Sequence, residues 1–251
     1  MAEIYRSVGF LLLAVAVVVA QNRKDEALSC HVMCSARREL MSSMTSPLPY
    51  RVAVLLFDGV EELDAVGPQE ALRLWQELTE RDVVVRTVSL DGQPVRCGLG
   101  LTVTPDGAID DEPRPDLLVH PGGAGIETLQ TDQGHLSRLR SFAADGTLMA
   151  SVCNGALVFA AAGLLAGLPA TSHWSVLDDL TSRYPDIEVR TGQRWVDAGS
   201  IVTSAGVAAG IDMALHLVAR LESTDMARLV ARVMEYPWTP EPVSATSEAN
   251  G

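Results

Sequence analysis

The sequence is short of basic residues and of cysteine. It contains 19 Lys and Arg against 32 Asp and Glu, a net charge of −13, so no sequence-wide basic field exists to attract a nucleic-acid backbone. Four cysteines are too few to build a disulfide scaffold in a chain of 251 residues. Apolar residues make up 47% and charged residues 20%, which excludes wholly disordered and collagen-like proteins. We therefore expect a globular protein with a buried core and no nucleic-acid partner.

The sequence also lacks a long apolar run. The apolar, uncharged stretch near its start, VGFLLLAVAVVVA at residues 8–20, has 13 residues, whereas a membrane-spanning helix needs about 20. The length suits a signal peptide, but no clear small-x-small cleavage site follows. We favour a dispensable leader or a misplaced start, with export and membrane anchoring as alternatives. The expected location is cytoplasmic, with membrane contact only if this segment is real.

Two of the cysteines lie in the same leader. Cys30 and Cys34 flank His31 in the sequence CHVMC, but the spacing is loose for a metal site and no second ligand pair accompanies it. We expect no metal there. The segment MSSMTSPLP that follows is small, polar and proline-containing, as is typical of a linker. Residues 1–49 are thus interpreted as leader and linker.

From residue 50 to residue 236 the pattern changes to short apolar runs that alternate with amphipathic segments. RVAVLLF, DVVVRTVSL, DLLVHPGG, TLMASVC and SIVTS predict buried strands. PQEALRLWQEL, residues 135–144, GALVFAAAGLL and GVAAGIDMALHLVARL predict helices. Continuous Val, Leu and Ile runs between helices indicate a mostly parallel sheet covered on both faces. We predict one doubly wound α/β domain over 50–236 and a disordered acidic tail over 237–251.

Cys153 lies where one of these strands meets a helix. Its surroundings, SVCNG, have the form small-x-nucleophile-x-small that a nucleophile elbow requires, with Gly155 as the second small residue. The start of a helix favours thiolate over thiol, so we expect a depressed pKa for Cys153. The alternative is a buried structural cysteine, which is how we interpret Cys97 in RCGLGL.

Asp64 and His173 are the candidate proton partners of this thiol. If the first and fourth predicted strands are neighbours, Asp64 at the end of the first strand converges with Cys153. A carboxyl group beside a thiolate in a partly desolvated pocket can stay protonated near neutrality and act as an acid. As alternatives, Asp64 is a turn or cap residue and His173 is a structural histidine.

A glycine pair supplies the last candidates. Gly122 and Gly123, with the backbone N–H of Asn154, could form an anion-binding or oxyanion pocket. Gly155 and His173 are further candidates for binding the substrate. Glycine pairs also simply make turns.

The motifs FDGVEELDAVGPQEAL, VHPGG, SVCNGALVFAAAGLL, SHW and TSAGVAAGIDMALHL together resemble the DJ/PfpI superfamily. Within it they are most similar to the isonitrile hydratase branch and to the amino-terminal domains of certain AraC-type transcription regulators. The resemblance covers residues 51–236 and implies a flavodoxin-like sandwich with a glutamine amidotransferase-like fold. It also implies a homodimer whose cysteine lies in a small pocket near the subunit interface.

The resemblance further implies an activity without a metal or organic cofactor, the addition of water to a small isonitrile to give an N-substituted formamide. Cys153 would attack the isonitrile carbon, Asp64 would protonate or orient the adduct and position the water, and Gly123 with the backbone of Asn154 would frame the pocket. Aspartate at position 64 is similar to isonitrile hydratase and unlike the glyoxalase and deglycase branch.

The sequence departs from that branch at one position, because Asn154 stands where threonine is typical and replaces a hydroxyl with an amide of different reach. His173 precedes Trp174, which can turn it toward packing. A second class of function therefore stays open: a ligand- or redox-sensing module without turnover. A further cysteine hydrolase or glyoxalase activity is also open. The ending PWTPEPVSATSEANG is not a helix-turn-helix domain, so we expect no DNA-binding regulator.

Overall fold

The computed structural model describes residues 48–241. The apolar leader, the Cys30–Cys34 motif and the last ten residues lie outside this range, so their interpretations stay predictions. Within it, no helix combines the length and the apolar character that crossing a membrane demands. No group of three or more His, Cys, Asp and Glu side chains between residues 48 and 241 is arranged to hold a metal ion.

A seven-stranded sheet forms the centre of this part of the chain. Its strands are β1 (Tyr50–Leu55), β2 (Val83–Ser89), β5 (Gly107–Ala108), β6 (Leu117–His120), β7 (Leu148–Ser151), β10 (Trp195–Asp197) and β11 (Ile201–Ser204). They lie in the order β10-β11-β7-β6-β1-β2-β5, and all neighbouring strands are parallel except β10 and β11. Two short pairs lie outside the sheet: β3 (Val95–Arg96) with β4 (Thr102–Val103), and β8 (Pro169–Ala170) with β9 (Glu188–Val189).

Helices flank the sheet in two packed groups. The first group contains α1 (Glu62–Leu78), α6 (Ala209–Leu221) and α7 (Thr224–Val233). The second contains α2 (Ile126–Leu129), α3 (Gln133–Ala144) and α4 (Gly155–Ala161). A short α5 (Leu177–Arg183) follows, and its Arg183 side chain donates to the Gln130 side chain at the end of α2. The observed α/β architecture, with a mostly parallel sheet between helices, confirms the predicted fold class.

The first and fourth predicted strands, β1 and β7, are not neighbours, because β6 lies between them. Val52 of β1 pairs with Leu117, and Leu118 pairs with Met149 of β7. All four residues of β6 are buried, which is the burial expected of a strand at the centre of a covered sheet. Any meeting of Asp64 with Cys153 must therefore occur across the end of β6.

The first helix also begins earlier than the sequence pattern suggests. Asp64 lies in the first turn of α1, and Pro68, where we predicted the start, lies inside the helix. Proline usually marks a helix start because it lacks the N–H that an interior position donates. Asp64 is therefore held by a helix and not by a strand-end loop.

Candidate functional site

Cys153 occupies a strained turn between β7 and α4. Its φ is 59°, in the left-handed region that a residue with a side chain rarely adopts. The turn is tight on the helix side as well, because a Cβ at Gly155 would lie 2.7 Å from the carbonyl oxygens of His120 and Pro121. Only glycine at that position lets α4 start against the end of β6. The thiol is thereby held at the carboxyl edge of the sheet, where sites occur in open parallel folds.

Asp64 is fully buried beside this turn. One carboxyl oxygen, Oδ2, accepts the backbone N–H of Gly122 at 3.0 Å. The other, Oδ1, is buried and has no hydrogen-bond partner among the described residues. Burial raises the pKa of Asp64 to about 7, against the lowering effects of the Gly122 N–H and of the Cys153 thiol. This carboxyl group is thus able to hold or release a proton at neutral pH.

The expected depression of the Cys153 pKa is wrong. Burial raises the pKa of Cys153 to about 12, and the negative charge of Asp64 raises it further. The backbone N–H groups of Asn154 and Val207 act in the opposite direction but are outweighed. The helix start therefore does not produce a free thiolate, because desolvation and a neighbouring carboxylate both disfavour negative charge on sulfur.

The two side chains are coupled without a hydrogen bond of good geometry. Each affects the pKa of the other, yet Oδ1 of Asp64 has no hydrogen-bond partner between residues 48 and 241. The raised pKa of Cys153 keeps the proton on the thiol at neutral pH.

The predicted anion pocket of the glycine pair is not formed, because both glycine N–H groups are already used. Gly122 donates to Asp64, and Gly123 donates to Oδ1 of Asn154 at 2.8 Å. The Asn154 amide in turn donates from Nδ2 to the carbonyl oxygen of Gly123 at 3.3 Å. The Asn154 side chain thus holds the glycine turn in place, while its backbone N–H is the group directed at Cys153.

Val207 is a site residue that the sequence analysis missed. Its φ is 46°, which is strained for a β-branched residue, and its N–H lowers the pKa of both Asp64 and Cys153. The donors directed at the thiol are therefore the N–H groups of Asn154 and Val207. Val207 follows β11 in the sequence SAGVAAG. Because sites in open parallel sheets lie at the carboxyl ends of strands, the end of β11 could also have been considered.

His173 is placed as a cap and not as a base for the thiol. Its Nδ1 lies 2.7 Å from the Ser175 hydroxyl and accepts the Ser175 N–H at 3.3 Å, at the start of a short 3₁₀ turn, Trp174–Val176. The ring packs so closely on Gly206 that a Cβ there would overlap it. His173 is not among the groups that shift the pKa of Cys153.

Taken together, the site brings a thiol, a carboxyl group and two backbone N–H donors to one buried turn. A thiol and a carboxyl group of this kind can exchange a proton while the sulfur forms a bond to carbon.

Comparison with known proteins places the chain in a family. The sequence profile of the DJ-1/PfpI family matches residues 50–220. Isonitrile hydratase of Pseudomonas putida is 39% identical over 190 residues, which cover 76% of this chain and 80% of that protein. The transcriptional regulator GbdR of Pseudomonas aeruginosa is 31% identical over 75% of this chain, but the match spans only 51% of the regulator.

A solved structure agrees with these matches. The ThiJ/PfpI family protein of Pseudomonas syringae superposes with a TM-score of 0.68 at 31% identity, and the match covers 81% of this chain and 79% of the other. The profile match alone spans more than half of the chain. The chain therefore belongs to the DJ-1/PfpI family.

Proposed function

We propose that the protein is a cofactor-independent cysteine enzyme that adds water to a small isonitrile and releases an N-substituted formamide. The observation that carries this proposal is the buried Asp64–Cys153 pair, in which a carboxyl group with a pKa of about 7 lies against a protonated thiol. The 39% identity with isonitrile hydratase of Pseudomonas putida supports the same reaction. Aspartate, not glutamate, at position 64 also agrees with it.

The first step forms a carbon–sulfur bond. The terminal carbon of R–N≡C takes up the sulfur of Cys153 and one proton, to give the thioimidate R–N=CH–S–Cys153. The proton leaves the thiol, passes through the Asp64 carboxylate and ends on that carbon. Because burial keeps the thiol protonated, proton transfer to Asp64 accompanies the attack of sulfur, and no free thiolate is needed beforehand.

The second step adds water and breaks the carbon–sulfur bond. Asp64 accepts one proton from water as the oxygen attacks the thioimidate carbon, and that proton is returned to nitrogen, giving R–NH–CH(OH)–S–Cys153. Loss of the hydroxyl proton then expels sulfur, which is reprotonated as the thiol, and R–NH–CHO leaves. The N–H groups of Asn154 and Val207 stabilise the negative charge that develops on sulfur as this bond breaks.

The position of the site favours a small neutral substrate. Cys153 is only 8% exposed, and the pair lies near Glu61, whose negative charge also raises the pKa of Asp64. An anionic substrate would be repelled and a large one excluded. An isonitrile with a compact substituent meets both conditions.

We also propose that the protein is a homodimer. The side chains of Leu63, Leu99 and Leu101 are exposed. The Glu62 carboxylate accepts the N–H groups of Leu99 and Leu101 at 2.9 and 3.2 Å, so these leucines lie beside the start of α1. An apolar surface next to the site agrees with a subunit interface there.

A sensing module without turnover is the second candidate, because half of the regulator GbdR is similar to most of this chain. The Asp64–Cys153 pair would then bind a ligand without converting it to a product. Redox sensing is less well supported, since a raised thiol pKa slows oxidation of Cys153. Other cysteine hydrolase or glyoxalase activities would use the same pair on another electrophile.

The test is formamide production from a panel of alkyl and aryl isonitriles, followed by NMR. Cys153→Ala and Asp64→Asn should lose turnover by a factor of about 10² or more, because each removes a reacting or proton-transferring group. Cys97→Ala is the matched control, since Cys97 is a buried free cysteine outside the pair, and it should retain turnover. No formamide from the folded wild-type protein with any isonitrile would refute the proposed function.

A further inference from the structure

Two buried histidines lie behind the site and take no part in the chemistry just described. His120, at the end of β6, is fully buried, and His135, in the first turn of α3, is 1% exposed. The rings of Phe57 and Phe159 each have their centroids 5.7 Å from that of His120. Placing imidazole groups among aromatic rings costs free energy unless their polar atoms are hydrogen-bonded. An apolar side chain would fill the same space without that cost.

The hydrogen bonds of the two rings form one chain with a defined direction. Nδ1 of His120 lies 2.8 Å from the carbonyl oxygen of Pro121, and Nε2 of His120 lies 3.0 Å from Nε2 of His135. A carbonyl oxygen can only accept, so His120 carries its proton on Nδ1. Its Nε2 then accepts, and His135 must donate from its own Nε2. Nδ1 of His135 is left as a bare lone pair, in agreement with its lack of a partner among the described residues.

Both rings stay neutral over the working pH range. Burial lowers the pKa of His120 to about 3, and the neighbouring His135 lowers it further. Burial likewise lowers the pKa of His135 to about 4, with Arg138 acting in the same direction and Asp132 against it. The pair is therefore a fixed donor and not a pH switch.

The Pro121 carbonyl group that accepts the hydrogen bond from His120 belongs to the same peptide unit as the Gly122 N–H. Pro121 supplies the C=O and Gly122 supplies the N–H of one planar group, and that N–H donates to Oδ2 of Asp64 at 3.0 Å. A peptide whose oxygen accepts a hydrogen bond is polarised and becomes a stronger donor at nitrogen. The chain thus runs from His135 through His120 and the peptide to the Asp64 carboxylate.

We propose that His120 and His135 are positioning residues that orient the Pro121–Gly122 peptide and strengthen its hydrogen bond to Asp64. This inference rests on the proposed function for its meaning, since Asp64 is the proton carrier of that reaction. The other groups that act on Asp64 are the Cys153 thiol, the charge of Glu61 and the N–H of Val207, and none of them contacts either histidine through a hydrogen bond.

The test is a titration of Asp64 that needs no substrate. Carbon-13 NMR of the full chain, labelled at the aspartate carboxyl carbons, gives the midpoint, and Asp64→Asn identifies the resonance. In His120→Phe the donor to the peptide is lost, and the Asp64 midpoint should rise by about 0.5 to 1 pH unit, as for a weakened hydrogen bond to a charged group. In His120→Asn the side-chain amide can take the place of Nδ1, so the midpoint should stay close to that of the wild type.

Leu139→Ala is the control for a general loss of stability. Leu139 is fully buried on the same helix as His135 and belongs to no hydrogen-bond chain, so this variant should lower the melting temperature and leave the Asp64 midpoint in place. If His120→Phe does not fold, the same titration is carried out on His135→Phe. The Asp64 midpoint should rise in this variant by less than is expected for His120→Phe. The inference is overturned if the folded Phe variants titrate like the wild type, if His120→Asn shifts as far as His120→Phe, or if Leu139→Ala shifts equally. Failure of isonitrile turnover would leave this titration unaffected, so the two proposals fail separately.

Discussion

The Asp64 carboxylate accepts a 3.0 Å hydrogen bond from the backbone N–H of Gly122, a residue 58 positions further along the chain. This bond joins the first turn of α1 to the glycine turn that follows β6. It also places the carboxyl group next to Cys153, although β1 and β7 are not neighbours. A Cβ at Gly122 would overlap Oδ1 of Asn154 and lie 3.0 Å from Oδ2 of Asp64, so the site closes only around glycine.

The buried carboxyl group should make stability depend on pH in a defined direction. The pKa of Asp64 is raised from 3.8 to about 7, so between these values the unfolded state loses its proton while the folded state keeps it. The wild type therefore loses stability from this group as pH rises through that window, by up to about 4 kcal/mol. The Asp64→Asn variant has no titrating proton at this position. Its free energy of unfolding should therefore increase relative to that of the wild type between pH 4 and pH 8. Urea unfolding at both pH values measures this, and a difference that stays constant would contradict the raised pKa.

The reactivity of the thiol should follow its raised pKa. Alkylation of Cys153 by iodoacetamide should be slow at pH 8, because burial and the Asp64 charge keep the thiol protonated. Removing that charge in Asp64→Asn should lower the pKa of Cys153 and speed alkylation at pH 8. A wild-type alkylation midpoint below 9, the ordinary thiol value, would show that the helix start prevails over burial.

The order of elements could be predicted from the sequence because strands and helices here carry different apolar periodicities. The strands β1, β2, β6, β7 and β11 all lie where continuous apolar runs were found. The short strands β3, β4, β5, β8, β9 and β10 were not predicted, since two or three residues give no periodicity to detect. The order of strands was not predictable from local patterns, because the pairing of β6 between β1 and β7 depends on contacts far apart in the sequence.

The convergence of Asp64 with Cys153 could be expected from the sequence, but the electrostatics of the pair could not. Asp64 and Cys153 do meet, but the sequence indicated a depressed thiol pKa, since the nearby helix start is visible in the sequence and the degree of burial is not. The hydrogen bonds of Gly122 and Gly123 likewise depend on which side chains reach them. Val207 was missed because nothing in the sequence indicates its left-handed backbone conformation. Valine is among the residues least expected to adopt a positive φ.

Substitution of Gly122 should disrupt the site directly. Gly122→Ala places a methyl group against the Asn154 and Asp64 side chains, and should cost at least about 2 kcal/mol of stability through overpacking. Gly98→Ala is the matched control, because its Cβ would lie at an ordinary 3.5 Å from the Gly59 carbonyl oxygen. It should change stability by less than about 1 kcal/mol. Thermal unfolding of both variants decides this, and equal costs would argue against close packing at Gly122.

The strain at Val207 predicts an unusual order among substitutions. Because its φ is 46°, Val207→Gly should be more stable than Val207→Ala by about 1 kcal/mol. At most positions the glycine variant would be the less stable of the two. Both variants keep the N–H directed at the Asp64–Cys153 pair. Chemical unfolding measures the difference. An alanine variant as stable as the glycine variant would show that the turn relaxes out of the left-handed conformation.

The most direct test of the Asp64–Cys153 pair as the reacting unit is rapid-quench mass spectrometry of the full-length protein during exposure to an isonitrile. Because the thioimidate forms by addition without a leaving group, we predict a mass increase equal to that of one whole isonitrile on the peptide containing Cys153. The adduct should appear in the wild type, fail to accumulate in Asp64→Asn, and be absent from Cys153→Ala. Formamide production with Cys153 unmodified at every quench time, or undiminished in Cys153→Ala, would contradict the account.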